Sequence, residues 1–310
     1  MNVETTLFDG RGRLVAYPSI TKKEETMMTR HNLKGYFLAL VAVMTVQFVL
    51  PGLLAAVEPA KIVQAQAILT VSESKRLIGQ AVKEMPIVKN ALANGMVIIV
   101  KGTTNAYVAE EITGKKIEKA AFVRGRVQPE RGGKKLPDVK AAPDVILEKG
   151  KVIDLPLAEA VKKLKPGDVV IKGANALDYK NKLAGVNIGA PDAGTTGTTM
   201  PYVVARKAYL VIPIGLEKLV AGDLVDLTLK MREPVESLNG LQSMFLLTGE
   251  IVTELEAINV LTGATAFQCS AGGIGGAEGS VWLVFRGTKE QVTKALKLAQ
   301  SIQGEPPYVE

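Results

Sequence analysis

The sequence predicts an α/β protein: a parallel-sheet domain, a smaller α+β unit after it, and an apolar segment ahead of both. Three observations carry this prediction. The chain has 310 residues, 47% of them hydrophobic, enough for about two domains with real cores. Short runs that are apolar on both faces, MVIIV at 96–100, VVI at 169–171 and YLVIPI at 209–214, alternate with stretches of helical spacing. Such runs fit central strands of a parallel sheet, which helices cover on both sides. Finally, residues 36–57 read YFLALVAVMTVQFVLPGLLAAV, 22 residues without a charge.

At about 1.5 Å per helical residue, that uncharged run can cross a hydrocarbon core of roughly 30 Å. Arg30 and Lys34 precede it and Glu58 follows, so the positive flank would stay inside and the downstream chain would be exported. Two readings stay open: a cleaved signal peptide, favoured by Pro51-Gly52 and by the small-residue sites Ala55-Ala56-Val57 and Ala65-Gln66-Ala67, or a retained membrane anchor, favoured by length. Residues 1–35 form a leader, within which Met27 or Met28 offers an alternative start.

The parallel-sheet domain is expected over 68–235. A helix over 71–89 is predicted by Leu77, Ile78, Ala81, Val82 and Met85 on one face, with Ser72 as its cap. The strand at 96–100 runs into Lys101-Gly102-Thr103-Thr104-Asn105 and then a helix that Gly114 stops. Residues 115–151 hold eleven bases and five acids, which equals the entire +6 surplus of residues 61–310. This Pro/Gly-rich stretch is expected to be a basic loop or hairpin insert, with Phe122 as its one aromatic, so base-stacking recognition of nucleic acid is not expected. A short helix over 157–164 precedes the second strand, which ends in Lys172-Gly173-Ala174-Asn175-Ala176-Leu177-Asp178. The run GVNIGAPDAGTTGTTM that follows is either a ligand-approaching segment or an exposed loop.

From 238 to 310 the order strand, helix, strand, strand, helix suggests a ferredoxin-like α+β unit. Its helices are EIVTELEAINVLTG and the Thr288-capped TKEQVTKALKLAQSIQG, and AGGIGG is a wide hairpin between its last two strands.

Side-chain chemistry narrows the function. The chain has one His, His31, in the leader, and one Cys, Cys269, expected to be buried in a strand. His-activated nucleophiles, His-ligated zinc and internal disulfides are therefore excluded from the folded part. No metal site and no cofactor are expected. A strand that runs through a Gly/Thr turn into a helix leaves backbone N–H groups and hydroxyls where an anion is stabilised. The candidate ligand-binding residues are Gly102, Thr103, Thr104, Asn105, Gly173, Asn175, Gly194, Thr195, Thr196, Gly197 and Thr198. Asp178 and Asp192 are candidate bases and Lys172 a candidate electrostatic stabiliser.

At GTTNAYVAEEI (102–112) and KGANALD (172–178) residues 70–225 resemble the superfamily of ribose-5-phosphate isomerase A, CoA-transferases, DeoR-type sugar sensors and LUD domains. The resemblance implies a Rossmann-like sheet with its ligand across the carboxyl ends of the strands. Gly102, Thr103 and Thr104 match that superfamily's phosphate turn, and Gly173 and Ala174 its second motif. Lys172 and Asn175 stand where the isomerases carry acids, and only Asp178 is kept. The sequence thus points first to an exported or membrane-anchored module binding a small anionic or polyol ligand. The alternatives are an isomerase or acyl-transfer enzyme, and a structural protein that assembles with itself as a homo-oligomer.

Overall fold

The computed structural model describes residues 61–123, 125, 128, 131–132 and 135–308, and the backbone of two short strands, β1 (Thr6–Phe8) and β2 (Leu14–Ala16). Those two strands pair antiparallel, Leu7 opposite Val15, in a unit covering Met1–Ala60. The apolar run at 36–57 lies outside the described residues. Among the described residues no helix is long and apolar enough to cross a membrane. The second unit, Lys61–Glu310, holds everything discussed below.

Its centre is a six-stranded mixed sheet. β4 (Met96–Ile99), β7 (Val169–Ile171), β10 (Tyr209–Pro213) and β12 (Glu250–Val252) run parallel, in the order β12-β10-β7-β4. β5 (Val145–Glu148) then pairs antiparallel with β4, and β6 (Lys151–Ile153) with β5. Every residue of β4 and β7 is buried, as two-sided apolar strands require. The expected basic insert therefore contains strand β5 near its carboxyl end and runs into β6 at its last residue, Lys151. Ile146 and Leu147, only 1–2% exposed, anchor it beside β4.

Helix α1 (Val71–Glu84) begins at a capping box in which Thr70, not Ser72, is the cap, with Glu73 returning a bond to the Thr70 N–H at 2.8 Å. The helical stretch expected to continue to 89 is cut at Met85, because Pro86 brings no N–H for a helix interior and instead opens α2 (Pro86–Asn94). α3 (Thr103–Thr113) packs on α1 and ends at Gly114, whose φ of 67° suits glycine.

Two further sheets flank the centre. β8 (Ala176–Asp178), β9 (Leu183–Ile188) and β11 (Ser243–Leu247) form one. β3 (Val63–Leu69), β13 (Thr265–Ala271) and β14 (Val281–Gly287) form the other, covered by α7 (Glu254–Thr262) and α8 (Lys289–Ile302). A domain boundary near 236 does not separate these pieces. β11 pairs with β9, β12 sits in the central sheet, and the last sheet takes its third strand from residues 63–69. The segment EIV, expected within a helix, is that edge strand β12, and helix begins only after the capping residue Thr253. The Gly/Thr run is not a loop either: 183–188 is β9, and α5 (Gly194–Arg206) holds Gly194, Gly197 and the four threonines. Cys269 is exposed on β13, its thiol 3.5 Å from the Trp282 carbonyl, not buried.

The carboxyl-terminal residues strap α1 to α3. Gly304 N–H donates to Glu73 at 2.8 Å, Arg76 bridges Glu110, Glu111 and Glu305, and the Tyr308 hydroxyl donates to the Lys119 carbonyl at 2.7 Å.

Strand β3 matters to any processing of the chain. It pairs with β14 from Val63–Gly287 to Leu69–Val281. A chain beginning at Ile68 loses the half-buried Val63, Ala65 and Ala67 and most of that ladder. Urea unfolding is expected to show it less stable than a chain beginning at Lys61 by about 3 kcal/mol or more.

Candidate ligand-binding site

Because β4, β7, β10 and β12 are parallel, their carboxyl ends lie along one edge, where ligands of open α/β sheets bind. β4 continues through Val100, Lys101 and Gly102 into α3, and β7 into Lys172-Gly173-Ala174. β10 leads through Ile214 and Gly215 into a 3-10 turn (Leu216–Lys218), and β12 through Thr253 into α7.

At the first of these ends Asn105 is fully buried and donates from Nδ2 to the carbonyls of Val100, at 2.7 Å, and Ile171, at 3.2 Å. It thereby ties the end of β4 to the end of β7. Its Oδ1 has no partner, and neither has the buried Thr104 hydroxyl. No side chain caps α3, so the first-turn N–H groups remain available. Gly102 is extended at φ 172°, and a Cβ there would meet only Asn105 at 3.9 Å, so the turn does not depend on glycine.

Lys172 brings the second and third expected segments together. It is 5% exposed, and its ammonium donates to the Thr195 hydroxyl at 3.3 Å, at the start of α5. Burial lowers its pKa to about 8, against the opposing pull of Asp144. A Cβ on neighbouring Gly173 would lie 3.7 Å from Asn105 Oδ1, which places β7's end against the α3 turn. Lys101, 9% exposed, donates its backbone N–H to Asp144 at 2.8 Å and its ammonium to the Ala142 carbonyl. Gly102, Thr103, Thr104, Asn105, Lys172, Gly173 and Thr195 thus converge.

The other expected residues do structural work. Asp178 accepts from the Asn181 backbone at 3.0 Å, the Asn181 carboxamide at 2.8 Å and the Leu224 N–H at 3.3 Å. Those bonds, the Asn181 backbone first, hold its pKa below the ordinary value, so Asp178 is a turn clamp and a poor base. Asp192 accepts from the Gly194 N–H at 2.8 Å and fixes the entry to α5. A Cβ on Gly197 would stand 1.9 Å from the Asp192 carbonyl oxygen, so this glycine is needed for close packing. The Thr198 hydroxyl returns to the Gly194 carbonyl, Thr196 is buried in α5, and Asn175 accepts from the Asn187 N–H.

A second group at the same edge escapes sequence reasoning. Glu254, at the start of α7, is 0% exposed; one carboxylate oxygen accepts from the Leu216 N–H at 3.0 Å and the other is unpartnered. Burial, then the nearby Glu217, raises its pKa to about 7. Ser74 on α1 lies near enough to favour the charged carboxylate, but no closed hydrogen bond forms and its hydroxyl is unpartnered too. Glu217 folds back over Gly215 with Oε2 buried and unpartnered; a Cβ on that glycine would fall 1.9 Å from it. Lys75, 8% exposed, has its pKa lowered to about 8 by burial, which outweighs Glu217 and Glu254. Lys218, also lowered by burial, donates to the Ala174 carbonyl at 2.9 Å and so joins this group to Gly173. The available signal was position: each of these charges follows an apolar strand by a few residues or opens a helix. Among the described residues no cluster of His, Cys, Asp and Glu could hold a metal ion.

The buried carboxyl has a pH signature. Unfolded Glu254 ionises near 4.5 and folded Glu254 near 7, so between these values the folded state keeps a proton that the unfolded state has lost, and stability falls as pH rises. Glu254→Gln is expected to raise stability at pH 8 by roughly 3 kcal/mol in urea titrations, with the gain vanishing near pH 4. Compared with known proteins, the chain matches no family model, no curated protein and no solved structure.

Proposed function

We propose that this protein binds a small anionic ligand, one that also carries hydrogen-bonding groups, at the carboxyl ends of its parallel strands. The observation that carries the reading is a surplus of buried positive charge. Lys75 and Lys172 are buried at this edge with the half-buried Lys218 beside them, and Glu254 is only partly ionised at neutral pH. Burying ammonium groups costs free energy that an incoming anion offsets, and the uncapped α3 adds N–H donors beside Lys172. A Rossmann-like relationship to the isomerase and CoA-transferase superfamily is part of the same proposal, supported by the Gly102–Thr104 turn and by Gly173. An enzymatic alternative rests on Glu254 as proton carrier in place of Asp178 or Asp192, since burial raises its pKa to about 7.

The test is a thermal-shift series on the full chain with inorganic phosphate, acetate and small dicarboxylates. At least one of these anions is expected to raise the melting temperature, and Lys172→Ala and the double variant Thr103→Ala/Thr104→Ala are expected to lose that rise. No shift with any anion, together with stable oligomers, would favour the assembly role instead.

The exported location belongs to this proposal as well, supported by the uncharged run at 36–57. Cleavage at Ala65-Gln66-Ala67 would cut strand β3, whereas Ala55-Ala56-Val57 lies ahead of it. If the segment is removed, amino-terminal sequencing of protein from its native host is expected to give a start before Val63.

A further inference from the structure

We infer that the ligand is a small amino acid, its acid group held at the Lys172 end of the strand edge and its ammonium group received by Ser74, Glu217 and Glu254. This deepens the anion-binding reading and rests on it.

The unpartnered buried atoms at the Glu254 end share one chemical character. Glu217 Oε2 and Glu254 Oε1 can only accept hydrogen bonds while the carboxyls are ionised, and the Ser74 hydroxyl accepts as readily as it donates. Glu254 is 0% exposed and Ser74 2% exposed, so bulk water does not satisfy them. Buried acceptors without donors cost free energy, and a ligand bringing several N–H donors relieves that cost. The protein's own ammonium groups do not relieve it. Among the described residues no ion pair closes within 4 Å from Lys75 or Lys218 to Glu217 or Glu254; Lys218 is engaged by Ala174, and Lys75 faces the Tyr308 ring at 5.9 Å.

The donors must also carry positive charge. Glu217 lies near enough to disfavour ionisation of Glu254, and an ammonium beside Glu254 would favour its charged form. The opposite demand holds at the other end, where the Lys172 ammonium donates to the Thr195 hydroxyl and forms no ion pair within 4 Å among the described residues, Asp144 being the carboxylate that acts on it, and the α3 turn presents N–H groups. Opposite ends of one edge therefore ask for opposite charges. Lys172 follows β7 and Glu254 follows β12, with β10 between the two strands. A single small molecule that carries both charges, such as an α- or β-amino acid, answers both demands.

The experiment compares acids that differ only in having an amino or a hydroxyl group: alanine against lactate, glycine against glycolate, β-alanine against 3-hydroxypropionate. Each is titrated calorimetrically into the full chain, with inorganic phosphate as a reference anion. One amino acid of the set is expected to bind at least about tenfold tighter than its hydroxy partner, the effect of a charge-assisted bond to a buried carboxylate. Glu254→Gln is expected to abolish that preference while keeping phosphate binding. Gly215→Ala, whose Cβ displaces only the far end of the Glu217 side chain, is expected to weaken the preference in a chain that melts normally. Lys172→Ala is expected to weaken amino and hydroxy acids alike. Equal or tighter binding of the hydroxy acids, or phosphate binding with no binding of any amino acid, overturns the inference and leaves the anion site standing. Loss of phosphate binding as well overturns both.

Discussion

One buried carboxamide holds the working edge together. Asn105 donates to the last carbonyl beyond β4 and to the last carbonyl of β7, and in doing so it sets where α3 starts and how closely Gly173 approaches. At the opposite end of the same strands Asp168 plays the complementary part, accepting from the Met96 N–H at 2.8 Å and the Lys165 N–H at 2.7 Å. Apolar strands such as MVII and VVI would pack in more than one alignment by hydrophobicity alone, since every face is greasy. Polar side chains with one geometry apiece remove that freedom.

That fixed alignment has an electrostatic result. Parallel strands end together, so charges that are scattered in sequence at 75, 101, 172, 218 and 254 become neighbours in a region from which water is largely excluded. Low polarity makes each charge sensitive to the others, and the same burial that depresses Lys75 and Lys172 elevates Glu254. The edge is thus suited to ligands with charge of their own, and selectivity among them follows from which carboxyls and ammoniums face each other.

Much of the central sheet is legible in the sequence because its strands are local facts: two-sided apolar runs mean burial wherever they occur. The Gly102–Asn105 turn is legible for the same reason, as strand, turn and helix are contiguous. Glu254 and Glu217 are not, because an acid beyond a strand acquires meaning only once the strand's neighbours are known. β12 is three residues long and merges into the helical period of the segment that follows. β3 carries only Val63, Ala65, Ala67 and Leu69 on its inward face, a pattern too weak to compete with its closeness to the apolar run. Threonines 195–199, loop-forming by composition, are held in α5 by bonds of Thr198 and Thr199 to carbonyls four residues earlier.

The pairing of β3 with β14 sets the order in which the chain matures. Residues 63–69 meet residues 281–287, and the strap that locks α1 uses Glu305 and Tyr308, so the first strand of the unit stays unpaired until nearly the whole of it exists. Contacts this distant in sequence make folding slow, and they deny an emerging chain its native partner. Closure of the fold therefore waits for strand 281–287 and for the residues that follow the last helix.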